Sequence, residues 1–80
     1  MQTVGGMMVE IGQIWRDCDK RMGNRRCMVM AIEMNKLGFL CAHMARVSLD
    51  GHIFESMPRT WVRVDRMKPG STGWTLEPTP

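Results

Sequence analysis

RTWVRVDRMKPGSTGW, residues 59–74, is the stretch whose reading decides the fold. Thr60, Val62 and Val64 alternate with Trp61, Arg63 and Asp65. This period of two, with β-branched residues on one side, marks a half-buried β-strand. The Thr/Val/Val side faces inward, and Trp61 and Arg63 face solvent or a partner. Pro69-Gly70 breaks the strand and Ser71-Thr72-Gly73 continues the turn. Asp65-Arg66-Met67-Lys68 is too short for an α-helix and fits one 3₁₀ turn. Trp74-Thr75-Leu76 then reads as a short closing strand, ended by Pro78 and Pro80, because proline cannot donate to a sheet ladder. An aromatic exposed between arginines points to a binding surface rather than to a catalyst.

Upstream, the same kind of pattern repeats. Met7 to Trp15 carries Val9, Ile11, Gln13 and Trp15 at one parity and reads as a first strand, with Gly12 marking a bend or bulge. Arg16 to Arg25 is charged and punctuated by glycine, which predicts a long loop. Arg26 to Met34, RCMVMAIEM, is a second strand with apolar groups at both parities, as expected of a central, covered strand. Its Met and Ala content leaves a helix as the rival reading. Asn35-Lys36-Leu37-Gly38 is a hairpin-type turn leading to a third strand from Phe39 to Leu49. Asp50-Gly51 signals another hairpin, with His52 to Met57 as its returning arm and Pro58 ending it. Trp15, Trp74, Phe39, Ile32, Val62, Val64 and Leu76 are the expected core.

Eighty residues make one small domain. The division is a flexible leader at 1–6, one domain at 7–77 and a tail at 78–80. A chain of this size buries only about 60–65% of the surface its unfolded form exposes, which leaves little room for a deep cleft. Hydrophobic residues at 44% and charged residues at 24% are ordinary for a folded domain. Ten methionines make either a plastic core or an adaptable surface. A net charge of +3 permits contact with nucleic acid or an acidic protein, and excludes an acidic DNA mimic. Three cysteines and no signal-like N-terminus point to free thiols in a reducing cytoplasm. No apolar run approaches a membrane span.

Five short strands with regular turns and no amphipathic helix indicate an all-β fold, a small antiparallel barrel in which closure removes the exposed edges. Two runs sharpen this: GQIWRDCDKR at 12–21 followed by RRCMV at 25–29, and TWVRVDRM at 60–67 followed by Pro69 and STGW at 71–74. Together they resemble a group of small phage- and prophage-encoded proteins of SH3-like or KOW-like form. The resemblance implies an SH3-like barrel of about five strands with one 3₁₀ turn before the last. It also implies a phage protein in the cytoplasm of a host cell, a setting in which proteins of this size often bind a host complex, including as anti-CRISPR inhibitors. The segment from His52 to Pro58 is longer than that pattern needs.

Cys18, Cys27, Cys41, His43 and His52 are metal-ligand types, but no pair has zinc-site spacing. Cys41 and His43 share a parity, yet no nucleophile signature surrounds any of the three cysteines. Asp17 and Asp19 lie among arginines, where ion pairing and turn formation account for them. No glycine-rich loop meets a helix to hold a phosphate. No catalytic residue, cofactor or metal is therefore expected. The basic residues remain: Arg16, Lys20, Arg21, Arg25 and Arg26 in the first loop, and Arg59, Arg63, Arg66 and Lys68 near the last strands hold nine of the eleven. Arginine's planar fork suits carboxylate and phosphate alike, and Trp61 suits an aromatic anchor or a stacked base. The expected contact is made by Arg59, Trp61, Arg63 and Arg66, supported by Arg21, Arg25 and Arg26. The expected partner is a host protein or nucleoprotein complex, with direct nucleic-acid binding as the alternative and no membrane contact. The chain is a monomer or a weak homodimer.

Overall fold

The structure, a computed structural model, describes residues 9–77. The expected leader at 1–6 and tail at 78–80 lie outside these. The protein is all-β, built of β1 (Ile14–Asp17), β2 (Arg26–Met34), β3 (Leu40–Val47), β4 (Thr60–Arg63) and β5 (Trp74–Leu76). Two 3₁₀ turns interrupt them, η1 (Lys20–Met22) and η2 (Val64–Arg66). The strands form one antiparallel sheet in the order β4-β3-β2-β1-β5.

The second strand has the predicted bounds and sits at the centre of the sheet, so the helix alternative falls. Its apolar residues at both parities have a specific cause. The register with β3 shifts between Val29 and Ala31, leaving Met30 as a bulge. Cys27 and Val29 point into the core before the bulge, and Ile32 packs against it afterwards. A bulge changes the strand's facing by one residue, so an inward stripe crosses from odd to even positions.

The first strand is shorter and later than its alternation predicts. Gly12 adopts φ +94, a conformation that side chains rarely take, and the Gln13 N–H bonds the Glu10 carbonyl across the turn. This turn resets the parity, so Val9 is buried while Ile11 is 67% exposed. The chain stays tied to β2 nonetheless: Gly12 donates to the Val29 carbonyl and Val29 donates to the Gln13 carbonyl. The third strand begins and ends inside its expected limits. Phe39 precedes it and lies half out of the core, contrary to expectation, and Leu40 packs there instead. The turn between β2 and β3 is built on Asn35, whose Oδ1 accepts from the Leu37 and Phe39 N–H groups, with Gly38 at φ +87.

The returning arm after Asp50-Gly51 is not a strand. Only Ile53 bridges to Val47, and the Phe54 N–H reaches the Arg46 carbonyl before the chain turns again at 54–57. The last strands match the reading more closely, except that Val64 leaves the ladder and opens η2. Val64 still faces inward, beside Met67.

Trp15 anchors the core, fully buried, with its indole N–H donating to Gln13 Oε1 at 3.1 Å. Around it lie Val9, Cys27, Val29, Ala42, Met44, Val64, Met67 and Trp74. Only two of the ten methionines, Met44 and Met67, are deep core residues among those described. Met22, Met34 and Met57 are exposed. Among the described residues no helix is long and apolar enough to cross a membrane.

Candidate binding groove

β4 lies at one end of the sheet and presents Trp61 outward. The register pairs Trp61 with His43 on β3, and the two rings stack at 4.4 Å with 14° between their planes. Trp61 is held in this way while 54% exposed. Beside it Arg63, opposite Cys41, reaches Asp65 at 2.6 Å and lies over the Phe39 ring at 3.7 Å. Its Nε is buried without a hydrogen-bond partner, as is Asp65 Oδ1. A buried polar atom without a partner is costly, and natural structures contain few of them.

The first loop faces β4 from the other side. Asp17, 4% exposed, accepts from Arg25 Nε at 2.9 Å and from the Asp19 N–H. Arg25 in turn lies over the Trp74 ring, 5.5 Å from its centroid. Asp19 caps η1: it accepts from the backbone N–H of Arg21 and from that residue's guanidinium. These bonds hold the Asp19 carboxyl below its ordinary range. Gly23 and Asn24, both at positive φ, return the chain to β2. The two aspartates thus pair with arginines and shape the turn, as their setting implied.

Between this loop and β4 runs a groove of about 390 Å³, open to solvent. All four residues of β4 line it, with Arg66 beyond them and with Asp17, Asp19, Arg25, Thr72 and Trp74 across from them. The groove joins the two basic clusters. Of the residues expected to make contact, Trp61, Arg63, Arg66 and Arg25 line it, and Arg21 reaches it through Asp19. Two do not belong. Arg26 pairs with Glu77 at 3.5 Å, which Arg16 also approaches at 3.6 Å, and Arg59 pairs with Glu55 at 3.3 Å. His43, Trp74 and Thr72 were missed as groove or support residues. Their roles depend on strand register and loop closure, which no local pattern encodes.

Two further depressions adjoin the groove. One, about 320 Å³, follows the loop Lys68–Gly73 and shares Arg66 and Thr72 with it. The other, about 400 Å³, lies across Trp61 among Met34, Lys36 and Cys41. Met34 and Leu37 are strongly exposed on that side. Among the described residues no three His, Cys, Asp or Glu side chains are grouped to hold a metal ion. The three cysteines are unpaired, and burial pushes the Cys27 thiol up. Neither a family model, nor a curated protein, nor a solved structure matches the chain.

Proposed function

We propose that the protein is a non-enzymatic binding module that masks a surface of a host protein or nucleoprotein complex through the groove beside Trp61. The observation that carries this reading is the groove itself, where a half-exposed tryptophan, braced by His43, lies between arginines drawn from both clusters. Aromatic and arginine side chains in a concavity are the usual anchors of protein interfaces. The charges favour protein over nucleic acid. Arg21, Arg25 and Arg63, three of the arginines expected to make contact, already have carboxylate partners within 4 Å. A phosphate-binding track needs cations free to replace counterions.

The proposal extends to an SH3-like barrel and to a phage origin with an anti-CRISPR-type role. The strand order, with β4 and β5 at opposite ends of the sheet and joined through η2, supports the first. The second rests on the resemblance of the runs at 12–21 and 60–74. Affinity capture from bacterial lysate, with and without nuclease, tests the reading. Wild-type protein should retain a defined protein complex that survives nuclease, and Trp61→Ala/Arg63→Ala should lose it while keeping its thermal melt. Retention of nucleic acid alone, released by nuclease, would sink the proposal and promote the nucleic-acid reading.

A further inference from the structure

β4 is an edge strand, and its edge opens into the groove. It pairs with β3 through Cys41↔Arg63, Ala42↔Val62, His43↔Trp61 and Met44↔Thr60. Among the described residues no backbone group outside β3 bonds to Thr60–Arg63. Alternate residues of an edge strand turn their N–H and C=O groups away from the sheet, so β4 directs unpaired donors and acceptors outward. Consecutive residues of both facings line the groove, which places the edge rather than one face of the strand along its wall. β4 is short and carries Arg63, but within its four residues there is no proline and no bulge to remove its outward donors and acceptors.

The charge beside that edge is selective. Arg66 has no carboxylate partner among the described residues, and neither has Lys68 in the adjoining depression. Arg63, by contrast, is already held by Asp65 and its Nε is buried, so it offers the groove no free charge. The cationic capacity left over therefore lies at the η2 end of the edge. A neutral or basic strand would leave it uncompensated, and an acidic one would satisfy it.

We infer that the groove takes an extended, acidic segment of a partner protein, which adds to β4 as a further strand. The segment donates and accepts along the main chain of Thr60–Arg63, and its carboxylate side chains meet Arg66 and, beyond it, Lys68. Four residues of edge accommodate about four to five residues of ligand at about 3.3 Å each. Main-chain pairing supplies affinity and the uncompensated cations supply the choice of sequence. This rests on the binding-module reading and gives its mode of recognition.

The test uses the whole ¹⁵N-labelled chain. In the free protein, amide exchange should be fast at alternate residues of β4. Titration with a blocked hexapeptide alternating valine and glutamate should shift the Thr60–Arg63 and Arg66 amides and slow that exchange. A lysine-for-glutamate peptide should bind about tenfold more weakly, and the fully N-methylated peptide, which cannot donate, weaker again by at least that factor. Arg66→Glu, an exposed site, should reverse the preference between the glutamate and lysine peptides. Four β4 amides already protected in the free state would overturn the inference, as would equal binding of the N-methylated peptide or no binding of the glutamate peptide at all. A captured partner that depends on Trp61 but is not displaced by the peptide would overturn this mode alone. Failure of both experiments would remove the module reading as well.

Discussion

Gly73 shows how a single position closes the fold. A Cβ there would lie 1.9 Å from the Lys68 carbonyl oxygen. That oxygen accepts the Trp74 N–H at 2.8 Å, the bond that starts β5. The neighbour is backbone, so it cannot rotate aside. Gly73→Ala should destabilise the protein by about 3 kcal/mol, at the upper end of the overpacking range. Gly70→Ala, three residues earlier, meets nothing within 4 Å and should change stability by less than about 0.5 kcal/mol. Urea unfolding followed by tryptophan fluorescence checks the pair, and a Gly73→Ala midpoint equal to that of Gly70→Ala would refute the argument. The sequence marks both glycines as turn residues. It does not distinguish them, because only the path of the loop brings Lys68 against Gly73.

At the scale of elements, legibility followed the range of the interactions. β2, β5 and the Asn35–Gly38 turn are set by a continuous apolar run, by a proline stop and by an Asn side chain that bonds its own backbone, all local features. The start of β1 differs from its reading because Gly12, taken as a bend or bulge within one strand, instead makes a turn that ends the alternation before it. The arm at 52–57 is read as a strand from the Asp50-Gly51 hairpin signal, but the chain turns again after one bridge. Phe39 shows the same limit: an aromatic at a strand's start looks like core until Arg63 is found lying over it in the open. Hydrogen exchange should separate these elements. Amides of β2 and β3 should be the slowest, and those of Glu55 and Ser56 should exchange as a loop, because no backbone bond holds them. Slow exchange throughout 52–58 would restore the strand.

η1 has a pH dependence of its own. The Arg21 guanidinium and N–H lower the Asp19 carboxyl from its ordinary 3.8. A group whose folded value lies below its unfolded value stabilises the fold above the unfolded value, and loses that contribution as pH falls through the folded one. Acidification through and below 3.8 should therefore loosen η1, and the Arg21 and Met22 amide resonances should move together. Asp19→Asn keeps a capping oxygen but no charge, and should abolish that acid step. An unchanged titration in the variant would place its cause elsewhere. The capping role was half legible, since Asp19 was placed in a turn among arginines but the 3₁₀ turn it caps was not foreseen.

For the whole molecule, the net charge of +3 overstates what a polyanion would meet. Six of the eleven basic residues, Arg16, Arg21, Arg25, Arg26, Arg59 and Arg63, lie within 4 Å of a carboxylate. Such pairs add little stability individually, but each lowers the field outside the surface. Of the remaining five, Lys20 sits on η1 and Arg46 on β3, lining neither the groove nor the depressions that adjoin it. That leaves Arg66, Lys68 and Lys36, which line the groove or a depression adjoining it, as the unpaired cations there among the described residues. If three phosphates are the most the protein neutralises, the logarithm of its affinity for duplex DNA should fall with the logarithm of salt concentration at a slope no steeper than about −3. Proteins making six to ten phosphate contacts show slopes of about −5 to −9 by the same relation. Fluorescence polarisation of a labelled duplex across a salt series measures this directly. A shallow slope with weak binding agrees with a groove built for a protein segment. A steep slope would mean that the paired arginines exchange their carboxylates for phosphates, and the nucleic-acid reading would then displace the one argued here.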